Sequence, residues 1–327
     1  MTALKLGNIA VERGQVGMGA LTTAYLPDST PVNVPLIVVH GAAEGPTLLL
    51  TAAMHGPEIP GCEVIRRITR EVVDPRELRG TIIAVPVVNP FSFQNHSMWA
   101  PQDGYNMNRV FPGQENGMLT HRLAYALFHE CVPLADAVLD FHANPTPAIM
   151  FSIIRPQTEE VGARAQAMAD AYGITTIQMK IENEPHRSGT LSDTAQSLGK
   201  PAMAVELLSW RRMLEDSVRS GVRGALNVMK HMGMLDGALE PQDDVPVIKG
   251  RLSRVEVTAS KGGLVHMLYE AGEAVKKGQV LARVVNPYGD LLEEIKSPVD
   301  GWILAYPLLG SQCVATGDFV NFIAYRI

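Results

Sequence analysis

Short apolar runs closed by polar or turn-forming residues alternate, over the first 240 positions, with stretches whose apolar residues recur every three to four. Thr47 to Ala53 predicts a buried strand. Gly61 to Val73 places Val64, Ile65, Ile68 and Val72 on one side and Arg66, Arg67 and Arg70 on the other, which predicts an amphipathic helix. Gly80 to Val88 predicts a strand and Thr120 to Cys131 a helix. Ala137 to Phe141 reads as a strand, Glu159 to Tyr172 as a helix, Ala202 to Leu208 as a strand and Asp216 to Met232 as a helix. The alternation predicts an α/β domain with a mixed, mostly parallel sheet and helices on both faces. Upstream, residues 1 to about 40 read as short strands and turns. Leu36-Ile37-Val38-Val39, the turn Gly41 to Pro46 and the Thr47 run together read as a hairpin.

The pattern changes near Gly237. Gly237 to Pro246 is acidic and turn-rich, as a linker would be. Beyond it come short alternating segments with glycine turns, such as Gly278 to Val285 and Gly301 to Ala305. We therefore expect an α/β domain over residues 1–240 and a small all-β domain over 245–327.

Composition narrows the class. The 327 residues are comfortable for two domains, and 46% hydrophobic with 19% charged residues is a globular balance. A net charge of −6, without a Lys/Arg run, argues against a nucleic-acid partner. No apolar stretch approaches the roughly 18 residues of a membrane span. The first residues lack a signal-peptide core. Three scattered cysteines suggest a reducing compartment. The expectation is a cytoplasmic protein that acts on a small molecule, with no nucleic-acid or membrane partner. The oligomeric state is open, a homo-oligomer included.

Candidate chemistry sits at strand ends. Met54-His55-Gly56-Pro57-Glu58 follows one predicted strand, and Asp140-Phe141-His142 ends another. Ligands bind beyond the carboxyl ends of strands in open α/β sheets. His55, Glu58 and His142 are the donor types of a catalytic zinc ion with one position left for water. The plain alternative for His55 and Glu58 is a solvated loop pair. Glu206 lies inside the apolar run Ala202 to Leu208. A buried charge needs a partner. That partner is either a helix cation or a metal site beside which Glu206 serves as general base. Asp140, on the same strand face as His142, can accept the second imidazole N–H, or it caps a turn. In the loop Asp103 to Gly113, Asn108 and Arg109 offer an amide and a planar fork suited to a carboxylate. An ordinary surface arginine is the alternative there.

In this order the motifs resemble the succinylglutamate desuccinylase/aspartoacylase family, which has a zinc-carboxypeptidase-like fold. They are His-Gly-x-Glu after a strand, Asn-Arg-x-Phe-Pro-Gly about fifty residues on, Asp-x-His after the next core strand, and a strand-borne Glu. The resemblance spans most of residues 30 to 235. It implies one Zn²⁺ held by His55, Glu58 and His142, Glu206 as general base, and Asn108 with Arg109 gripping a substrate carboxylate. Family members commonly carry another arginine shortly before the Asp-Gly element. None occurs here between Arg79 and Arg109. His96 or zinc itself would then serve as electrophile, or the substrate is less polar, with Met98 and Trp99 against an apolar group. The C-terminal segment resembles a biotinyl/lipoyl-like barrel, yet its hairpin tip reads Tyr288-Gly289-Asp290 without the modifiable lysine.

Arg187, in the loop before the Glu206 strand, is a further candidate for substrate binding, with solvent exposure as its alternative. Cys62 follows the His55 motif, but a catalytic thiol wants a histidine base, and those nearby are committed. No Gly-x-Ser-x-Gly elbow is present. The expected activity is zinc-dependent hydrolysis of the amide in an N-acylated amino acid. A carboxypeptidase-like or ester-cleaving enzyme, or a catalytically silent binding protein, are the alternatives.

Overall fold

The computed structural model describes residues 3–179, 188–307 and 312–327. In chain order the elements are β1 (Leu4–Leu6), β2 (Ile9–Val11), β3 (Gln15–Tyr25), β4 (Pro31–His40), β5 (Ala43–Ala52), α1 (Pro60–Arg67) and β6 (Arg79–Val85). Then follow α2 (Pro90–Asn95), α3 (Leu119–Cys131), β7 (Ala137–Asn144), β8 (Phe151–Ile154), α4 (Glu159–Tyr172), β9 (Thr175–Gln178), α5 (Leu191–Ser197), β10 (Ala202–Leu208) and α6 (Glu215–His231). The C-terminal part holds β11 (Leu252–Thr258), β12 (Gly263–Met267), β13 (Ala274–Val275), β14 (Val280–Val285), β15 (Leu291–Lys296), β16 (Gly301–Ala305), β17 (Cys313–Val314) and β18 (Phe319–Arg326).

Twelve strands form one mixed sheet in the order β13-β16-β18-β11-β9-β8-β10-β7-β5-β6-β4-β3. Its centre, β10, β7, β5 and β6, is parallel. Parallel neighbours need crossovers, and the alternating helices supply them. Side chains alternate across each strand, so the central strands bury both faces. On one face Leu48, Leu50, Leu139, Phe141, Val205 and Leu207 meet α1, α4 and α6. On the other, Leu49, Ile83 and Val138 meet Leu123 and Leu127 of α3 and Leu191 and Ala195 of α5. α1 lies close because residue 61 is glycine: a Cβ there would stand 2.5 Å from Phe141 Cβ.

Two expectations fail near the amino terminus. β3 and β4 are 11 and 10 residues long, not short. β4 and β5 form no hairpin, because β6 lies between them, antiparallel to β4 and parallel to β5. The turn between β4 and β5 wraps the start of β6. Gly41 N donates to Gly80 O at 2.8 Å, and a Cβ on Gly80 would meet Pro46 O at 1.9 Å. Only a glycine, here at φ +84°, fits that crossing.

The C-terminal strands divide between two sheets. β11, β13, β16 and β18 extend the large sheet, joined to β9 by the pair Leu252 and Ile177. β15, β14, β12 and β17 form a separate antiparallel sheet around Leu281, Val284 and Ile295. The β14–β15 turn carries Tyr288, almost fully exposed, at its tip. Among the described residues, no helix is long and apolar enough to cross a membrane.

Candidate active site

His55 and Glu58 leave the carboxyl end of β5. The chain turns there through Ala53, which adopts a left-handed φ of 50°, an uncommon conformation for a non-glycine residue. Gly56 is held against the 89–97 segment: its N–H donates to Ser97 O at 2.9 Å, and a Cβ would fall 1.7 Å from Ser92 O. Glycine is thus required between His55 and Pro57. The Glu58 N–H closes the turn on His55 O at 3.1 Å, and Pro60 opens α1. His142 and Asp140 share one face of β7, the face opposite Leu139 and Phe141. The β10 register sets Glu206 beside His142 and Ala204 beside Asp140.

These side chains converge. His55 Nδ1 lies 2.9 Å from Glu58 Oε1, and His142 Nδ1 lies 2.7 Å from Glu58 Oε2. All three residues are buried, and one ligand atom from each lies within 4.8 Å of the others. The outer ring nitrogens face acceptors. His142 Nε2 is 2.9 Å from Asp140 Oδ2, whose other oxygen accepts from Thr51 Oγ1 at 2.7 Å. His55 Nε2 is 3.0 Å from Asn106 Oδ1, an oxygen that also accepts the Asn108 N–H at 2.9 Å. The acceptor on His55 Nε2 favours N–H outward and Nδ1 inward on that ring; His142 Nε2 meets both the Asp140 carboxylate and the Asn108 amide, and its Nδ1 is directed to Glu58.

Two inward nitrogens and a carboxylate aimed at one point repel unless a positive charge lies among them. Burial would raise the Glu58 carboxyl, but the charges of His55 and His142 and their hydrogen bonds outweigh it and hold it at about 2. Burial would lower His142, yet the Asp140 and Glu58 carboxylates bring it well above the ordinary imidazole value. The pocket stabilises cationic charge. A divalent ion fits that donor set, and His55, Glu58 and His142 can hold one.

Glu206 is half-buried beside this cluster, and Asn144 Nδ2 donates to its Oε2 at 2.8 Å. Burial raises its carboxyl, the His142 charge lowers it, and Glu58 raises it again. A carboxyl kept basic in this way suits proton transfer. Asn108 is oriented by the Leu191 N–H, which donates to its Oδ1 at 3.0 Å, so its Nδ2 faces His142 Nε2 at 3.2 Å. Arg109 follows in a short 3₁₀ turn, with Nη1 on Asn108 O at 2.6 Å.

One cavity of about 450 Å³ joins these groups, a size that suits a small-molecule ligand. Its lining includes His55, Glu58, Asn108, Arg109, His142 and Glu206. Met98 and Trp99 line it as well, whereas His96 does not; that residue caps α2 in a left-handed conformation and is exposed. Arg187 lies outside the described residues. Burial pushes the Cys62 thiol up to about 12, which leaves it protonated and unreactive.

Sequence reasoning missed several contributors. Asn106 contacts His55, Asn144 contacts Glu206, and the indole of Trp210 donates to Ala143 O at 2.8 Å at the cavity edge. Two buried arginines, Arg155 after β8 and Arg254 on β11, also line the cavity. Arg155 Nη1 lies 3.5 Å from Asp193 Oδ1 in the first turn of α5. No arginine comes from the 80–108 segment, and among the described residues the cavity arginines are Arg109 and these two distant ones. For Arg155 the signal was available, since it closes the run Phe151 to Ile154; Arg254 sits in the alternating stretch Leu252-Ser253-Arg254-Val255-Glu256, which does not single it out.

Comparison with known proteins agrees with this architecture. Residues 44–232, more than half of the chain, match the succinylglutamate desuccinylase/aspartoacylase catalytic domain. The chain is 30% identical over 300 residues to the N-alpha-acetyl-L-2,4-diaminobutyric acid deacetylase of Halomonas elongata, covering 90% of this chain and 86% of that protein. A succinylglutamate desuccinylase/aspartoacylase structure from Rhodobacter sphaeroides superposes with a TM-score of 0.86 at 25% identity, over 98% of this chain and 99% of that one. The product-bound ectoine utilization protein EutE of Ruegeria pomeroyi shares the fold with a TM-score of 0.87 at 24% identity, over 97% of each chain. By its catalytic-domain match and by its near full-length relative, the chain belongs to the succinylglutamate desuccinylase/aspartoacylase family, a family of deacylases.

Proposed function

We propose that this protein is a zinc-dependent deacylase that hydrolyses the amide bond of an N-acylated amino acid or a related small carboxylate. The observation that carries the reading is the convergence of His55 Nδ1, His142 Nδ1 and Glu58 at one buried point on the wall of a cavity that also holds Glu206 and Arg109. Imidazole nitrogens with one carboxylate oxygen are a zinc donor set with a position left open. Bound there, zinc supplies a Lewis acid that polarises the scissile carbonyl and makes water acidic near neutral pH.

The residues of the chain do the rest. Glu206 takes a proton from the attacking water and delivers it to the amide nitrogen as the carbon–nitrogen bond breaks, giving a carboxylate and an amine. The Asn144 N–H on Glu206 Oε2 leaves Oε1 to carry that proton. Arg109 and Asn108 hold the substrate carboxylate and so fix the carbonyl over the donor cluster. Asp140 holds the His142 ring through Nε2 and keeps Nδ1 directed inward. The relative from Halomonas elongata, named as a deacetylase of an N-acetylated diamino acid, supports the same bond type here.

Zinc-loaded protein incubated with a panel of N-acyl amino acids tests the reading by amine release. Turnover that a chelator abolishes and zinc restores is expected. Zinc binding without amine release from any panel member would overturn it.

A further inference from the structure

β10 ends at Leu208, and the next three residues turn sharply. Ser209 and Arg211 both take the left-handed conformation, at φ 78° and 57°. Residues other than glycine adopt it rarely, and where they do the surroundings must hold them there. Three segments do so here. The Ser209 N–H donates to Asn144 O of β7 at 3.0 Å. The Arg211 N–H donates to Pro57 O at 2.7 Å, inside the turn that joins His55 to Glu58. Arg211 Nη2 donates to His96 O at 3.0 Å. The bend is thus tied to both segments that deliver the donor cluster and to the one that leads into Met98 and Trp99.

Trp210 stands between the two left-handed residues. Asn144 O faces β10, so the preceding carbonyl, of Ala143, faces the other edge of β7. β5 has left that edge after pairing Ala52 with Phe141. The indole N–H of Trp210 donates to Ala143 O at 2.8 Å and supplies the partner this carbonyl needs. The ring therefore lies across the carboxyl end of β7 and lines the cavity there. It packs against the apolar cluster of α1, α4 and α6. Asn108 is tied to the start of α5, on the opposite face of the sheet, and Arg109 follows it. Asn108 thus meets the His142 ring from one side, and Trp210 reaches the backbone next to His142 from the other. The C-terminal strands line the cavity from beyond β8, on the side of β10 away from β7.

We propose that Trp210 is the specificity-determining residue on the acyl side of the site, its indole admitting a short acyl group of acetyl size and stopping a longer one. The proposal rests on the deacylase reading of the site and narrows its substrate class to short-chain N-acyl amino acids. A substrate whose carboxylate lies at Arg109 and whose scissile carbonyl lies at the donor cluster points its acyl group away from α5, towards the indole. The indole presents a flat apolar face whose single donor is already used. Its backbone is clamped on both sides, so the ring cannot withdraw to make room, and an added methylene meets a wall that does not yield.

Two substrate series test this on zinc-loaded wild type, Trp210→Phe and Trp210→Leu. One holds the amino acid fixed and lengthens a straight acyl chain from acetyl through butyryl to hexanoyl. The other keeps acetyl and enlarges the amino-acid side chain. Wild type is expected to favour acetyl over butyryl by at least about tenfold in kcat/KM. Trp210→Leu should bring that ratio to about one or below, whatever its absolute rates, with Trp210→Phe in between. Both should keep the zinc content and the order of preference of wild type in the second series. An acyl ratio that stays at the wild-type value while all rates fall would make Trp210 a structural strut and overturn the proposal. A change confined to the amino-acid series, or a wild type that cleaves butyryl as readily as acetyl, would overturn it too. Should Trp210→Leu not fold, Trp210→Phe decides alone, by a smaller shift in the same direction. Failure of wild type to release amine counts against the deacylase reading alone. Calorimetric binding of straight-chain hydroxamates, whose head group chelates zinc and whose tail stands for the acyl chain, then reads the same preference without turnover. Wild type should lose affinity as the tail lengthens, and the variants should lose less. Equal binding profiles for wild type and variants would again overturn the proposal.

Discussion

The two ends of the cavity are built differently. At one end, His55, Glu58, Asp140 and His142 come from two adjacent parallel strands, and each is tied to a neighbour by a hydrogen bond between 2.7 and 2.9 Å. At the other, Arg254, Phe319 and Phe322 come from strands that join the sheet late in the chain. The first end is over-determined, since every donor has a second contact that fixes its direction. The second end consists of an arginine on a phenyl face and apolar neighbours, which set shape and charge rather than a coordination geometry. The difference is one of constraint: the strand ends direct several donor atoms at one point, whereas the C-terminal strands contribute lining to the same cavity.

Substitutions should separate the two ends. The largest effect is expected at the donor cluster. His55→Ala or Glu58→Ala should release the metal and abolish amine release, because removing one of three protein donors leaves a site too weak to hold zinc. Metal analysis after gel filtration reads this, and full metal content in either variant would break the ligand assignment. Glu206→Gln should follow, with metal content unchanged and kcat lower by about 10²–10⁴, the usual worth of a positioned acid–base group. Wild-type turnover in that variant would remove Glu206 from the proton path.

Asp140→Asn is expected to weaken metal binding by about 10–100-fold while the fold persists, since Asp140 acts through His142. Competition with a chromophoric chelator measures it. The same site predicts a pH dependence. His142 is raised well above its ordinary value in the metal-free protein by Asp140 and Glu58, which outweigh burial. Its proton must leave before Nδ1 can bind the ion. Below that raised pKa, apparent zinc affinity should therefore fall about tenfold per pH unit, with one proton released on binding. Calorimetry in buffers of different ionisation enthalpy counts that proton, and an affinity flat across neutral pH would contradict the arrangement. The smallest effect is expected at the β14–β15 tip. Tyr288→Ser should change stability by no more than about 0.5 kcal/mol and leave turnover unaltered, because this exposed ring borders no part of the cavity.

What the sequence discloses follows the same division. Contiguous residues deliver both element and chemistry at the strand ends: an apolar run predicts the strand, and the His and Glu that follow are placed by it. α4 and β10 likewise span the residues their periodicity predicts, Glu159–Tyr172 and Ala202–Leu208. The β4–β5 hairpin failed because a turn signal reports that the chain reverses, not which strand it pairs with. Gly80, forty residues on, occupies the space inside that turn. Asn106 could not be singled out from Asn108 by spacing, because a 3₁₀ turn decides which amide faces His55. Arg155 closes an apolar run, whereas Arg254 lies in an alternating stretch with Arg251 and Glu256 nearby, and only the assembled sheet brings both to one cavity. The same criterion that singled out Glu206, a charge at an apolar run, would have found Arg155 but not Arg254.

Zinc titrated into chelator-stripped protein, with amine release from an N-acyl amino acid followed at each addition, tests the central claim most directly. Amine release should rise from baseline in proportion to added zinc and level off at one equivalent per chain, and His142→Ala should stay at baseline throughout. Amine release that is already full in the stripped protein, or that His142→Ala recovers at the same equivalence point, would contradict the account.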